Sequence, residues 1–475
     1  EMLAWLYDED RWPSGAAGGL VTKEPEFRAR YLLLTSEKRT EAPDAANDDS
    51  GKLLACYSIR LDADGALDSY KRIGADEPAE EGAEKFYAYR MVETSDPWFN
   101  DQAYVDTLNP AAIRKFVDVT YEAYFKSVGD EFNKTIPAIF TDEPQFTRKT
   151  VLKFAREKRD VRMPFTDDLP ETYRAAYDAD FFETFPEVIW ELPGGKYSLA
   201  RYRYHDHVAE RFSSAFADTI GGWCEEHGIR FSGHMMEEPT LESQTHALGE
   251  AMRSYRSFQL PGIDMLCDWM EFTTAKQAAS ASHQYGRGGV LSELDGVTDW
   301  DFNFMGHKGH GDWQAALGVT VRVPHLAWVS MAGEAKRDYP ASFSPHSSFC
   351  GVLKYLEDYF ARLGVVLSRG REVRDLLVVH PVESAWILLN RDLAAAQEFD
   401  RKLASLRNRL FDGALDFDYG DEEHLAQFGR VEPGAVLKLG SGVYRAVLLP
   451  EMETIRGTTL ALLRRFREDG GMVCA

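Results

Sequence analysis

Three apolar runs in this chain end in carboxylates. Residues 136–146, IPAIFTDEPQF, pass from an apolar run into Asp142 and Glu143 and stop at Pro144. The order returns at 228–239, GIRFSGHMMEEP, which carries His234, Glu237 and Glu238, and at 288–296, GGVLSELDG, which carries Glu293 and Asp295. A short apolar run bounded by turn residues reads as a buried strand. In a parallel βα barrel the strands bring their C-terminal tips to one face, so residues far apart in sequence can line one pocket. Glycosidic bonds are cleaved by such a set: one protonated carboxyl for the leaving oxygen, and one carboxylate for water or for the sugar carbon. Any one of these acidic pairs could equally open a solvated loop, and the repetition at three tips is what argues for a site.

The histidines divide by context. His205 and His207 lie mid-helix at i, i+2 spacing, which puts them on different faces and argues for a structural role rather than a metal site. His234 and His325 each follow a strand. Each fits a hydrogen-bond partner for a sugar hydroxyl or a satisfied structural histidine. Trp5, Trp12, Trp98, Trp269, Trp300, Trp313 and Trp328 fall near expected tips and loops, where a ring could stack on a sugar or fill the core.

The elements needed to hold these residues alternate along the chain. Strands are expected at MLAWLY, FYAYRM (Phe86–Met91), IPAIF, GIRFS, IDML, GVLS and GVTVRV, seven in all. Between them lie a helix begun by Asn109-Pro110, a capping residue followed by a first-turn proline, a mixed region over 147–200 read as helical, and a helix over 199–224 ended at His227-Gly228. This alternation predicts an α/β fold, a (β/α)8 TIM-type barrel over 1–370 whose first strand lies upstream of the sequence, with an insertion around 36–82. From Arg374 onward the pattern restarts as a smaller doubly wound, flavodoxin-like α/β domain over 371–475, interrupted at its last strand. Both ends therefore read as cut from a longer protein, and an export signal could lie outside the sequence.

The 475 residues carry a formal net charge of −23, which argues against a nucleic-acid or anionic-membrane partner and suits neutral ligands such as carbohydrates. No run is long enough to span a membrane. The five cysteines have no CxxC spacing and are expected to be mostly buried free thiols. No GxGxxG or GxxxxGK[ST] phosphate loop is present.

The segments WLYDEDRWPSGAAGG, YVDTLNPAAIRKFVDVTYEAY, IFTDEPQ, LSELDG and DYPASFSPHSSF…YLEDYFARLGVVLSRGREVRDLLVVHPVESAW, taken in order, resemble glycoside hydrolase family 106, the α-L-rhamnosidases. The resemblance implies removal of terminal L-rhamnose from polysaccharides or glycosides with inversion, and a calcium ion at the sugar hydroxyls. Carried onto this chain it implies Glu143 as general acid and Glu293 as base. Glu237 and Glu238 are the expected calcium ligands, because calcium takes six to eight oxygens. Asp142, His234, Asp295, His325 and Trp300 are expected to bind substrate or support the glutamates. Two alternatives stand beside this: a retaining β-galactosidase-like glycosidase, and a catalytically silent carbohydrate-binding relative. A zinc amidohydrolase fits poorly, since no HxH occurs at any tip.

Overall fold

The structure is a computed structural model that describes residues 3–10, 19–41, 50–325, 330, 332, 345–389 and 393–475. Six strands form one parallel sheet: β1 (Leu6–Asp10), β2 (Ala138–Asp142), β3 (Arg230–Gly233), β4 (Leu260–Met265), β5 (Val290–Leu294) and β6 (Val319–Pro324). Each pairs with the next in chain order and always in parallel. Sequential parallel pairing with helical crossovers is the singly wound arrangement of a TIM-type barrel, and it delivers all six C-terminal tips to one end. The core beneath joins strand residues such as Ile139, Phe231, Ile263 and Leu294 to helix residues Phe116, Phe212 and Ala278.

The helix over 110–128 starts as its sequence requires. The Asn109 side chain accepts from the Ala111 amide, Pro110 occupies the first turn, and a π-helical stretch interrupts it at Val117–Tyr121. The long helix from Leu199 to Glu226 is capped by Ser198 and carries a second π-helical stretch, Ser213–Asp218.

Two expectations are corrected. FYAYRM is no barrel strand: Glu84–Val92 runs antiparallel between Arg30–Thr35 and Ser50–Leu61. The region over 147–200 is not wholly helical, because Val161–Phe165 pairs antiparallel with Arg30–Thr35. These strands, with Thr40–Glu41 and Leu67–Ile73, form a separate six-stranded layer that begins before residue 36 and continues past residue 82. Runs such as RYLLLT and FYAYRM are as apolar as the barrel strands, and only the partner strand tells the two apart. The barrel sheet therefore has six strands among the described residues, not seven.

A second parallel sheet follows, from β7 (Leu376–Val379), β8 (Phe417–Gly420), β9 (Ala446–Leu448) and β10 (Met472–Cys474), in the order β8-β7-β9-β10. With β7 as first strand this is the 2-1-3-4 order of flavodoxin-like sheets. Beside it the chain divides between two sheets. Gly442–Tyr444 closes a three-stranded antiparallel ribbon with Gly429–Glu432 and Val436–Leu439, and Ala446–Leu448 enters the parallel sheet.

The two parallel sheets share a buried seam. Ala209, Leu241 and Met252 from the barrel side pack with Val378, Trp386 and Phe399. A polar link crosses it as well: Arg456, bonded to Glu383 on its own side, reaches Asp206 of the barrel, which the fully buried Arg253 holds together with Glu250. All five cysteines are free, Cys56 and Cys224 buried, Cys267 and Cys350 half-buried and Cys474 exposed.

Candidate active site at the barrel tips

The backbone at the tips is bent in a way the sequence does not advertise. Glu143 directly after β2 (φ 44°), Glu237 after β3 (φ 59°), Cys267 after β4 (φ 60°) and Asp295 directly after β5 (φ 71°) all occupy the left-handed region. Such conformations are costly for residues with a side chain and concentrate at functional sites. At β3 the approach is closer still. Gly233 has φ 121°, and a Cβ there would lie 1.9 Å from the Thr141 carbonyl oxygen, so only glycine lets β3 sit this near β2. His234 projects from that point.

Around His234 four carboxylates converge. Its Nε2 lies 3.0 Å from Asp142 Oδ1 and 4.0 Å from Asp264 Oδ2, and its Nδ1 lies 3.7 Å from Glu293 Oε2. Two sets of atoms fall within 4.8 Å of one another, Asp142–His234–Glu293 and Glu143–His234–Asp264. Glu293 faces a second imidazole, with Oε1 3.6 Å from His325 Nε2. Tyr7 of β1 stacks on Phe140 and donates its hydroxyl to Asp142 Oδ2. Strand β1, the tips of β2, β3, β4 and β5, and the turn after β6 thus all contribute.

The electrostatics follow from that crowding. Burial works against a charged His234, yet contact with Asp142 and the negative charges of Asp142, Asp264 and Glu293 outweigh it and hold the imidazole well above its ordinary range. Burial raises Glu293, the His234 cation partly offsets this, and the charges of Asp142, Asp264 and Glu143 add to it; the carboxyl is pushed up to about 8. Asp264 is raised for the same reasons, burial first. His325 is lowered, mainly by burial. A site in which neighbouring carboxyls differ in proton affinity can run acid and base chemistry together.

Of the residues singled out from sequence, Asp142, Glu143, His234, Glu293 and His325 come together. Others do not. Asp295 turns away from the cluster and is buried against the helix Phe304–Ala316, its oxygens each 3.2 Å from His307 Nδ1 and His310 Nδ1, which with burial opposing them lower it to about 2. Its expected hydroxyl-binding role is replaced by an anchor for the end of β5. Glu237 is ion-paired with Arg148 at the rim, and Glu238 is buried, accepting from the Tyr255 hydroxyl and the Met235 amide. The two expected calcium ligands thus point to different partners. Trp300 is half-buried on the loop after β5. Trp98 and Trp269 are exposed, Trp313 packs against Phe272, and Trp12 and Trp328 lie outside the described residues. His205 and His207 are structural: Lys149 Nζ contacts the first at 2.8 Å and Thr172 the second at 2.9 Å.

Asp264 was missed. It lies inside the expected strand IDML, next to last in Leu260–Met265, with no second acid beside it, so the run-then-acidic-tip pattern did not mark it. Tyr7 was missed because its role depends on β1 lying next to β2.

No family model matches the chain. A Formosa agariphila protein named "Putative beta-glucuronidase" is 25% identical over 322 residues, which is 63% of this chain and 25% of that protein. The chain therefore spans about a quarter of that curated relative. Among solved structures, the rhamnosidase of Novosphingobium sp. PP1Y superposes with a TM-score of 0.60 at 18% identity, covering 87% of this chain and 38% of that one. The GH42 β-galactosidase Gan42B of G. stearothermophilus gives 0.52 at 12% identity, covering 81% and 56%. At these identities the likeness is one of fold, an α/β fold of the TIM type.

Proposed function

We propose that this chain carries the catalytic barrel of an inverting, exo-acting α-L-rhamnosidase resembling glycoside hydrolase family 106. One observation carries the reading: Glu143 and Glu293, 150 positions apart, both bring a carboxylate within 4.8 Å of the His234 ring at the strand tips. Glu143 protonates the leaving oxygen and Glu293 takes the proton from the attacking water. The His234 imidazolium holds the cluster together against carboxylate repulsion, and His325 orients the second oxygen of Glu293. Asp142, fixed by Tyr7, and Asp264 are placed to accept from sugar hydroxyls.

The donor chemistry also fits calcium, though not at Glu237 and Glu238. Calcium prefers carboxylate oxygens, and Asp142 with Glu293, and Glu143 with Asp264, supply them in two sets beside His234, whose nitrogens are poor ligands for it. When bound, the ion would supply charge and fixed coordination for sugar hydroxyls.

The test is hydrolysis of a panel of aryl glycosides followed by proton NMR. Inverted L-rhamnose from the α-L-rhamnoside is expected. Retention, or cleavage of a β-galactoside in its place, would replace this reading with the β-galactosidase-like one. Binding without turnover would leave a silent carbohydrate-binding relative.

A further inference from the structure

At the opposite end of the barrel lies a cleft of about 960 Å³, between the starts of β5 and β6, the end of the helix Lys354–Leu367 with the segment leading to β7, and the edge of the antiparallel ribbon. Its Lys and Arg residues are Arg287, Arg369, Arg371, Arg374, Lys438 and Arg445, against only Glu372 and Asp375. Among the lining residues cations thus outnumber anions by four, in a chain whose net charge is −23.

Pairing inside the protein accounts for only three of the six. Arg374 is neutralised by Glu372, Asp416 and Asp418 at 2.7–2.9 Å. Arg445 and Lys438 form looser ion pairs with Asp375 and Glu432, at 3.8 and 3.9 Å. Arg287, Arg369 and Arg371 have no carboxylate partner among the described residues. Arg287 gives one N–H to the Arg256 carbonyl, while its buried Nε has no hydrogen-bond partner. A buried donor left unmatched is costly unless something else satisfies it.

We propose that this cleft binds an oligosaccharide carrying several sulfate or carboxylate groups. Guanidinium forks match such groups bidentately. The three unpaired arginines come from two separate segments, with Lys438 and Arg445 on a third, so one small anion cannot engage them all and a chain of anionic groups can. The volume falls within the range of ligand clefts. Apart from His283 no aromatic ring lines it among the described residues, which removes the stacking platform that a nucleobase or an uncharged sugar would use. At Gly288 and Gly370 an added Cβ would meet nothing within 4 Å, so the wall is open there. The choice of a glycan as carrier rests on the glycosidase reading above; the demand for several anionic groups does not.

The test is calorimetric titration of the whole chain with a dextran sulfate oligomer, an oligogalacturonate, uncharged dextran of equal length and inorganic phosphate, each at low and at physiological salt. One or both charged oligomers should bind, more tightly at low salt, and uncharged dextran should not. The double variant R369S/R371S, at two exposed positions, should weaken that binding by about tenfold or more, and R287Q should weaken it as well. Hydrolysis of the aryl rhamnoside should stay unchanged in the double variant, because the carboxylate cluster is at the other end of the barrel. Absence of binding by both charged oligomers, equal binding by wild type and double variant, or phosphate binding as tightly as the oligomers would each overturn the proposal. Loss of the rhamnosidase reading would appear only in the hydrolysis arm.

Discussion

Glu293 Oε2 lies 3.7 Å from His234 Nδ1, and Glu293 turns its other oxygen to His325, so the carboxyl at the tip of β5 sits between two imidazoles. Its proton affinity is therefore set by its neighbours. If Glu293 is the base, kcat/KM should rise with pH as the carboxyl loses its proton toward about 8, since this ratio reports groups of the free enzyme. A profile that instead falls through that range would exchange the roles of Glu293 and Glu143.

Removing the proton from Glu143 isosterically should separate chemistry from binding. For Glu143→Gln, kcat should fall by about 10²–10⁴-fold, while rhamnose affinity measured by calorimetry stays within a few-fold. Unchanged turnover would remove Glu143 from the mechanism.

Gly233→Ala tests the contact that seats His234. The new methyl meets the Thr141 carbonyl and the residue must keep φ 121°, so urea unfolding should show a loss of about 2 kcal/mol or more. Activity should fall together with stability, because His234 moves with the strand. A variant as stable and active as wild type would show that β3 can shift freely.

Stability should peak in mild acid. Burial first of all pushes Asp8 up to about 8 and Asp106 and Glu383 up to about 7. Unfolded, these groups titrate near 4. Between roughly pH 4 and pH 8 the folded chain thus binds more protons than the unfolded one, and stability falls as pH rises through that window. Asp418 and Asp295 act oppositely. Burial works against their charge, but His283 and Arg374, and His307 with His310, lower both to about 2, so their contribution is complete above about pH 4 and is lost as pH falls toward 2. Thermal unfolding should therefore give a higher Tm at pH 5.5 than at pH 8.5; the reverse order would refute the assignment of the three raised carboxyls.

Arg253 lies buried on the barrel side of the seam, paired with Glu250 and Asp206. Arg253→Met should cost about 3–5 kcal/mol by leaving Glu250 buried without its cation. Adding Glu250→Gln should recover part of that loss. Additive losses in the double variant, read from urea midpoints, would show that the two groups are not coupled.

Much of the architecture was legible because strand and helix periods are local. The apolar runs at IPAIF, GIRFS and GVLS, the Asn109-Pro110 start and the stop at His227-Gly228 all depend on neighbours within a few residues. FYAYRM shows the limit of that information: its composition suits either sheet, and only pairing with Arg30–Thr35 and Ser50–Leu61 places it in the antiparallel layer. The candidate site divides along the same line. Sequence alone determined that carboxylates end three of the expected strands, and hence that Asp142, Glu143 and Glu293 belong to one face. Tertiary structure decided which of them converge. Asp295, two residues from Glu293, turns to His307 and His310, whereas Asp264 and Tyr7, unremarked in sequence, join the cluster. The physical reason is that a side chain's direction at a strand tip is set by the φ of one turn residue and by the neighbouring strand, and neither is written in the local pattern.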